Sequence, residues 1–324
     1  PIMSIYFYTE TAFHHEGDLN YMNKLIEFSK KTGSNGVKFQ VLLDLNSLTT
    51  STHKHYSDLE KLIFNLDEWR SIFDLTIKSG LDIIVMPLDN SVFKLILEYK
   101  DHIKYLELHS VSFNDKKLKK IIKDSKIPLI LGTGGRTIEE IEDAVKYFGN
   151  QLVVLMHGFQ SFPSKIENVR LDKIEYLSTM FPNLSVGYAD HSSYGDTYSI
   201  YSNEYAYILG ARFFEKHITL KEGEKRIDYE SALGHEKLKM IIDRLIFLDS
   251  KIFSNKSTFS SLNDHENKYR LRQKVAVASK KIKKGDFFNN ENVAFKMSDV
   301  HSELIDMSLL VNKKSKVDLD YDQV

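Results

Sequence analysis

Short apolar runs alternate along the chain with longer stretches whose apolar residues recur at helical spacing. The runs at 3–9 (MSIYFYT), 36–41 (GVKFQV), 82–88 (DIIVMPL) and 104–109 (KYLELH) read as strands. So do 128–133 (PLILGT), 152–157 (LVVLMH), 184–189 (LSVGYA) and 212–218 (RFFEKHI). Between them, LNYMNKLIEFSKK carries Leu19, Met22, Leu25, Ile26 and Phe28 on one helical face. TIEEIEDAVKYF opens with Thr137 and Glu140 at capping-box spacing, directly after a glycine-rich turn. Strand-then-helix units repeated eight times in roughly 250 residues match a closed parallel (β/α)8 barrel, a TIM barrel. The rival is an open doubly wound sheet, which calls for a glycine fingerprint after the first strand. TETAFHHEG contains no G-x-G-x-x-G, so the barrel is expected.

The pattern changes after residue 254. NKSTFSSLNDHENKY is polar and aperiodic, which predicts a linker over 255–269 between a barrel at 1–254 and a small domain at 270–324. Within that domain, short strand-like runs are punctuated by KKG and NNEN turns. At about 55 residues it stands near the lower size limit for independent stability.

A parallel barrel carries its chemistry at the C-terminal ends of its strands, so those ends supply the site candidates. They are Glu10 on the first strand and Lys38 and Gln40 on the second. Ser110 follows the fourth, Thr133 and Gly134 the fifth, and His157 the sixth. Asp190 and His191 end the seventh, and Glu215, Lys216 and His217 lie on the eighth. A ring of polar groups in a core otherwise built of Val, Ile and Leu is hard to explain by packing. Alternation puts Glu215 and His217 on one face and Lys216 on the other, which weakens Lys216 as a Schiff-base nucleophile. His191 and His217 sit on neighbouring strands. They read either as ligands of one divalent ion, completed by water and substrate oxygen, or as buried histidines hydrogen-bonded within the core. Asp190 reads as an orienting partner of His191, a substrate contact or a helix N-cap. The GTGGRT turn offers N–H groups to an anion. His14, His15, His53 and His55 fall in expected loops and read as solvated.

Composition removes several functions. Among 324 residues, Lys plus Arg is 44 and Asp plus Glu is 45, which leaves no basic excess for nucleic acid. There is no cysteine, hence no disulfide, thiolate ligand or thiol nucleophile, as suits a reducing cytoplasm. No apolar run approaches the ~18 residues that span a bilayer. The opening PIMSIYFYTE lacks the marks of a secretion signal, so neither a membrane nor an export role is expected.

Several motifs resemble the sialic acid synthase family. E-T-A-F-H-H-E-G-D (10–18) is similar to that family's E-I-G-x-N-H-x-G-D. G-V-K-F-Q (36–40), L-G-T-G-G (131–135) and V-L-M-H-G-F-Q-S-F-P (154–163) match in order. The most specific are V-G-Y-A-D-H-S-S-Y-G (186–195) and L-G-A-R-F-F-E-K-H-I-T-L (209–220), where members read nearly G-x-S-D-H-x-x-G and L-G-A-x-x-x-E-K-H-x-T. V-A-V-A-S-K-K-I-K-K-G-D resembles the family's antifreeze-like (SAF) module. The resemblance implies condensation of phosphoenolpyruvate with an N-acetylated amino-sugar aldehyde to a nine-carbon 2-keto-3-deoxy acid. It implies Mn2+ or Mg2+ on His191 and His217, and catalytic roles for Glu10, Lys38 and Asp228. Gln40, Ser110, Thr133, Gly134, Gln160, Phe162, Asp190 and Ser231 become substrate contacts. It also implies a homodimer in which each SAF module covers the partner's barrel mouth.

The chain departs from the family pattern mainly where the phosphate is expected. Glu107 aligns with a phosphate-binding lysine, Met86 and Ala189 replace hydroxyl residues, and Met297 replaces the SAF arginine. Two alternatives therefore stand beside the synthase. One is a metal-dependent lyase or aldolase acting on a keto-sugar acid, and the other is a non-catalytic sugar-binding homologue.

Overall fold

The computed structural model describes residues 5–158, 161–253 and 260–324. The chain divides into two compact units, Pro1–Phe253 and Ser254–Val324.

In the first unit, eight parallel strands close into a barrel in sequence order. They are β1 (Tyr6–Glu10), β2 (Gly36–Val41), β3 (Asp82–Pro87), β4 (Ile103–Leu108), β5 (Leu129–Gly132), β6 (Leu152–His157), β7 (Ser185–Asp190) and β8 (Phe213–His217). β1 closes on β8 with Glu10 beside His217, and it pairs β2 with Glu10 beside Lys38. Both registers gather polar strand ends at one mouth.

The helices form because their flanks and faces agree. Leu19–Thr32 is capped by the Asp18 side chain, which accepts from the Tyr21 N–H, and it stops at Gly33 in the left-handed region. It buries Met22, Leu25 and Ile26 against the barrel wall. Each such side chain contributes about 1.5–3 kcal/mol. Leu66–Lys78 begins with a capping box of Asn65 and Glu68, and its Trp69 ring packs edge-on against Phe39 of β2 and Phe64. Ile138–Phe148 begins with the capping box of Thr137 and Glu140, as the spacing predicts.

Strand alternation splits the apolar residues into two sets. The larger packs outward beneath the helices. The smaller, Tyr8, Ile84, Ile130, Val154, Met156, Ala189 and Phe213, fills the barrel interior. Gly187 makes that filling possible: a Cβ there would lie 2.7 Å from the Met156 side chain and 2.9 Å from that of Phe213.

The second unit holds an antiparallel pair, β9 (Val275–Ala278) and β10 (Val293–Lys296). Its small core is Ala276, Val293 and Leu310, with Phe288, Phe295 and Met307 packed against them. The KKG turn bends at Gly285, whose φ of 96° suits glycine. The stretch read from its polarity as a linker contains a helix, Asp264–Arg270, started by a capping box of Asn263 and Glu266. That N-D-H-E spacing was a helix signal that the absence of apolar periodicity concealed. Met297, just beyond β10, is exposed. Among the described residues, no helix is long and apolar enough to cross a membrane.

Candidate active site

The C-terminal mouth of the barrel encloses a cavity of about 300 Å3. Its charged wall comes from four strands. Lys38, projecting inward from β2, is almost fully buried and donates to Glu215 on β8 at 2.7 Å and Glu107 on β4 at 3.0 Å. Glu10 of β1 stands 3.4 Å from the same ammonium. Glu10 also accepts from the Gln40 amide at 2.7 Å and from His217 Nε2 at 3.1 Å. Tyr8 donates to Glu107 at 3.3 Å from below.

Three carboxyl groups thus surround one ammonium in a buried space, and their proton affinities separate. Burial alone pushes the Glu10 carboxyl up, but Lys38 and His217 outweigh it and hold the group well below the usual range. Burial and the neighbouring Glu10 charge drive Glu215 well above that range, and burial also raises Glu107 despite Lys38. Burial works against the Lys38 charge, and the three carboxyl groups overcome it, so Lys38 stays an ammonium. The outcome is one carboxyl group held low beside two that are raised. A pair of groups pushed apart in this way is the usual arrangement for an acid and a base in one site.

Two imidazoles complete the wall. His191, one residue past β7, and His217, at the end of β8, have ring centroids 5.2 Å apart. Burial and the adjacent His217 lower His191 to about 3, so it is a neutral ligand donor. Phe162 meets both rings edge-on, at 5.0 and 5.8 Å, and is 42% exposed, so one aromatic face remains open to an occupant. Ligand atoms of Glu10, His191, Glu215 and His217 all lie within 4.8 Å of one another. The Nδ1 atoms of both histidines are buried without a hydrogen-bond partner. Orphaned imidazole nitrogens next to an excess of buried carboxyl groups fit a divalent cation: it would employ the nitrogens and balance the charge. This cluster could hold a metal ion.

Of the residues singled out in the sequence, the cavity brings together Glu10, Lys38, Gln40, Ser110, Phe162, His191, His217 and Asp228. Asp228 sits in the left-handed region, and burial raises its carboxyl. Others lie elsewhere. Asp190 does not line the cavity; it is fully buried against Lys216 at 3.2 Å and caps the Ser192 N–H at 2.8 Å. Ser231 gives its hydroxyl to the His191 carbonyl at 2.7 Å. Thr133 donates to the Met156 carbonyl at 3.1 Å, and Gly132, not Thr133 or Gly134, borders the cavity. These residues are spent on holding the loops. Gln160 lies outside the described residues.

Two loop histidines expected to be solvated are buried. His14 bonds the Ile227 carbonyl at 2.6 Å, and His15 stacks on Phe64 at 4.4 Å. The loop after β1 folds inward instead of projecting, whereas His53 and His55 are exposed. His109 was passed over although it borders the cavity, where burial and then Lys38 lower it to about 4. Its place two residues beyond inward-facing Glu107 was the available signal.

A family model described as "NeuB family" matches residues 25–252, most of the chain. The chain belongs to the NeuB family. Among its relatives, an uncharacterized protein of Methanocaldococcus jannaschii is 26% identical over 97% of this chain and 91% of its own length. The N,N'-diacetyllegionaminic acid synthase of Campylobacter jejuni is 28% identical over 89% of this chain and 88% of its own. The crystal structure of an N-acetylneuraminic acid synthetase from Leptospira borgpetersenii superposes with a TM-score of 0.74. At 20% identity it covers 83% of this chain and 92% of that one, and it shares the fold.

Proposed function

We propose that this NeuB-family chain condenses phosphoenolpyruvate with an N-acetylated amino-sugar aldehyde, giving a nine-carbon 2-keto-3-deoxy acid and phosphate. The observation that carries this reading is the cluster of Glu10, His191, Glu215 and His217 at the barrel mouth, roofed by the open face of Phe162. The named synthase among the relatives supports the reaction class.

In this account, the third carbon of the enol donor bonds to the aldehyde carbon while the aldehyde oxygen takes a proton. Water then adds at the second carbon, and phosphate departs. A divalent ion, Mn2+ or Mg2+, when bound by the two histidines and the flanking carboxylates, supplies Lewis-acid polarisation of oxygen. The protein groups do the rest. Asp228, whose carboxyl burial raises, is suited to deliver the proton, and Glu10, ionised beside Glu215, to accept the one that water loses. Lys38 holds Glu10 and Glu215 in register, Gln40 orients Glu10, and Asp228 and Phe162 grip the sugar. Residues 270–324 act as an SAF module that covers a partner's barrel mouth in a homodimer, and the enzyme works in the cytoplasm.

Inorganic phosphate released from phosphoenolpyruvate and N-acetylmannosamine, or a diacetamido-hexose aldehyde, with Mn2+ present, tests this reading. Release that disappears in Glu10→Gln and His217→Ala with the fold retained supports it.

One observation favours a second reading. The Lys38 ammonium is already engaged by carboxyl groups, so the barrel wall offers a phosphate little free cationic charge. A metal-dependent lyase or aldolase on a keto-sugar acid needs no phosphate site. Pyruvate release from such an acid, with no phosphate release from phosphoenolpyruvate, would select it.

A further inference from the structure

The eighth strand carries a second buried lysine on the face opposite Glu215 and His217. Lys216 has no exposed surface, and neither does its partner Asp190, 3.2 Å away. The pair lies behind the barrel wall and does not border the cavity. Its contacts concentrate on one short segment. Lys216 donates to the Ser192 carbonyl at 2.9 Å and to the Ser192 hydroxyl at 3.3 Å. Asp190 accepts from the Ser192 N–H at 2.8 Å, from Asn203 at 3.2 Å and from Tyr188 at 3.3 Å. Ser192 is therefore gripped through both its N–H and its carbonyl, and His191 lies between Ser192 and Asp190.

The carbonyl of His191 is held as well, by the Ser231 hydroxyl at 2.7 Å and the Ser164 N–H at 2.8 Å. By contrast, the His191 ring has a buried Nδ1 without a partner. The polar restraints on this histidine thus fall on its backbone, and its imidazole, packed against Phe162, keeps its Nδ1 for ligation. Lys216 also immediately precedes His217, so one ion pair spans the residues next to both candidate ligands.

Physical cost argues that the pair is not there for stability. Removing two charges from water is unfavourable, and an apolar pair of similar volume in such a place is often as stable or more so. What an ion pair adds is directional constraint on the groups it bonds.

We propose that Lys216 and Asp190 are positioning residues that set the separation and aim of His191 and His217 for a divalent cation. This rests on the reading of those histidines as metal ligands. Supports of this kind typically change metal affinity by about 10- to 100-fold when removed.

The test measures Mn2+ binding to the full chain by the loss of the free-ion electron paramagnetic resonance signal, with metal-free thermal unfolding recorded in parallel. In the double variant Asp190→Leu/Lys216→Met, both charges go together, so no unpaired buried charge remains. The inference predicts a folded protein, less stable only through the hydrogen bonds lost at Ser192, Asn203 and Tyr188, with Mn2+ binding weakened about 10-fold or more. If that variant does not fold, Asp190→Asn serves. It keeps an acceptor for the Ser192 N–H while removing the charge opposite Lys216, and it should weaken binding about 3- to 10-fold. Lys216→Arg, which keeps charge and donors, should bind more tightly than the double variant. Unchanged Mn2+ affinity in the folded double variant, or in Asp190→Asn, overturns the positioning role while the metal reading stands. An unmodified protein that binds no Mn2+, or binds equally well as His191→Ala/His217→Ala, overturns the metal reading itself and this inference with it.

Discussion

Two buried lysines on one barrel differ in how their charge is matched. Lys216, behind the wall, faces a single carboxylate, and the pair holds the loop at Ser192 while Asp190 also accepts from Asn203 and Tyr188. Lys38, inside the mouth, faces three carboxyl groups, two of which are pushed toward the acid form. The first arrangement is closed, with one charge against one and the hydrogen bonds taken up. The second crowds three carboxyl groups around one ammonium, beside imidazole nitrogens that lack hydrogen-bond partners among the described residues. A fold alone gains nothing from such crowding, because buried carboxyl groups repel one another whenever they ionise. That side of the wall could hold a metal ion.

Four outcomes sharpen this contrast. The largest concerns the carboxyl group of the mouth that is held low: Glu10→Gln keeps the shape and hydrogen-bonding reach but removes the base. Steady-state phosphate release should fall about 10²- to 10⁴-fold. Behind the wall, Lys216→Met alone leaves Asp190 charged, buried and unpaired. Urea unfolding should show a loss of about 3–5 kcal/mol, part of it recovered when Asp190→Leu is added and the buried charge is gone. Recovery that fails to appear would mean the pair is not a closed unit.

The third outcome is a control outside both clusters. Burial, with His14 and Arg226 nearby, lowers His15 from 6.5 to about 3. Above pH 6.5 the folded and unfolded chains both hold it neutral, so it costs nothing there. As pH falls below 6.5 the unfolded chain takes a proton that the native one refuses, and stability drops until the pH reaches the folded value. By pH 5 this amounts to about 2 kcal/mol. His15→Phe should flatten that part of the stability–pH curve, and an unaltered slope would contradict the burial argument. The smallest effect belongs to Glu107→Gln. Exchanging one carboxyl group beside Lys38 for an amide should lower KM for phosphoenolpyruvate about 2- to 3-fold, equivalent to about 0.5 kcal/mol. A raised KM would mean that Glu107 assists the donor.

The barrel was legible because its strands are short apolar runs at regular spacing, and because Thr137 and Glu140 state a helix start outright. Alternation along β8 was legible too: Glu215 and His217 face the mouth and Lys216 faces away. What lay beyond reach was pairing between distant positions. Lys38 and Glu107 are 69 residues apart, and nothing local to either says that they touch. Asp190 and Ser231 carry the same chemistry whether they face a substrate or the backbone of a loop, and the sequence does not show that Asp190 accepts from the Ser192 N–H or that Ser231 donates to the His191 carbonyl. The burial of His14 depends on where the chain near Ile227 returns, more than 200 residues later, and that of His15 on the distant Phe64. Polar residues thus declare that they have a task before they declare which one.

The central claim is that Glu10, His191, Glu215 and His217 share one divalent cation. Crystals grown with Mn2+ and measured near the manganese absorption edge test it most directly. The account predicts a single strong anomalous peak among those four side chains, lost in His191→Ala/His217→Ala. A peak seated elsewhere, or an empty map at the barrel mouth with the metal in excess, would contradict it.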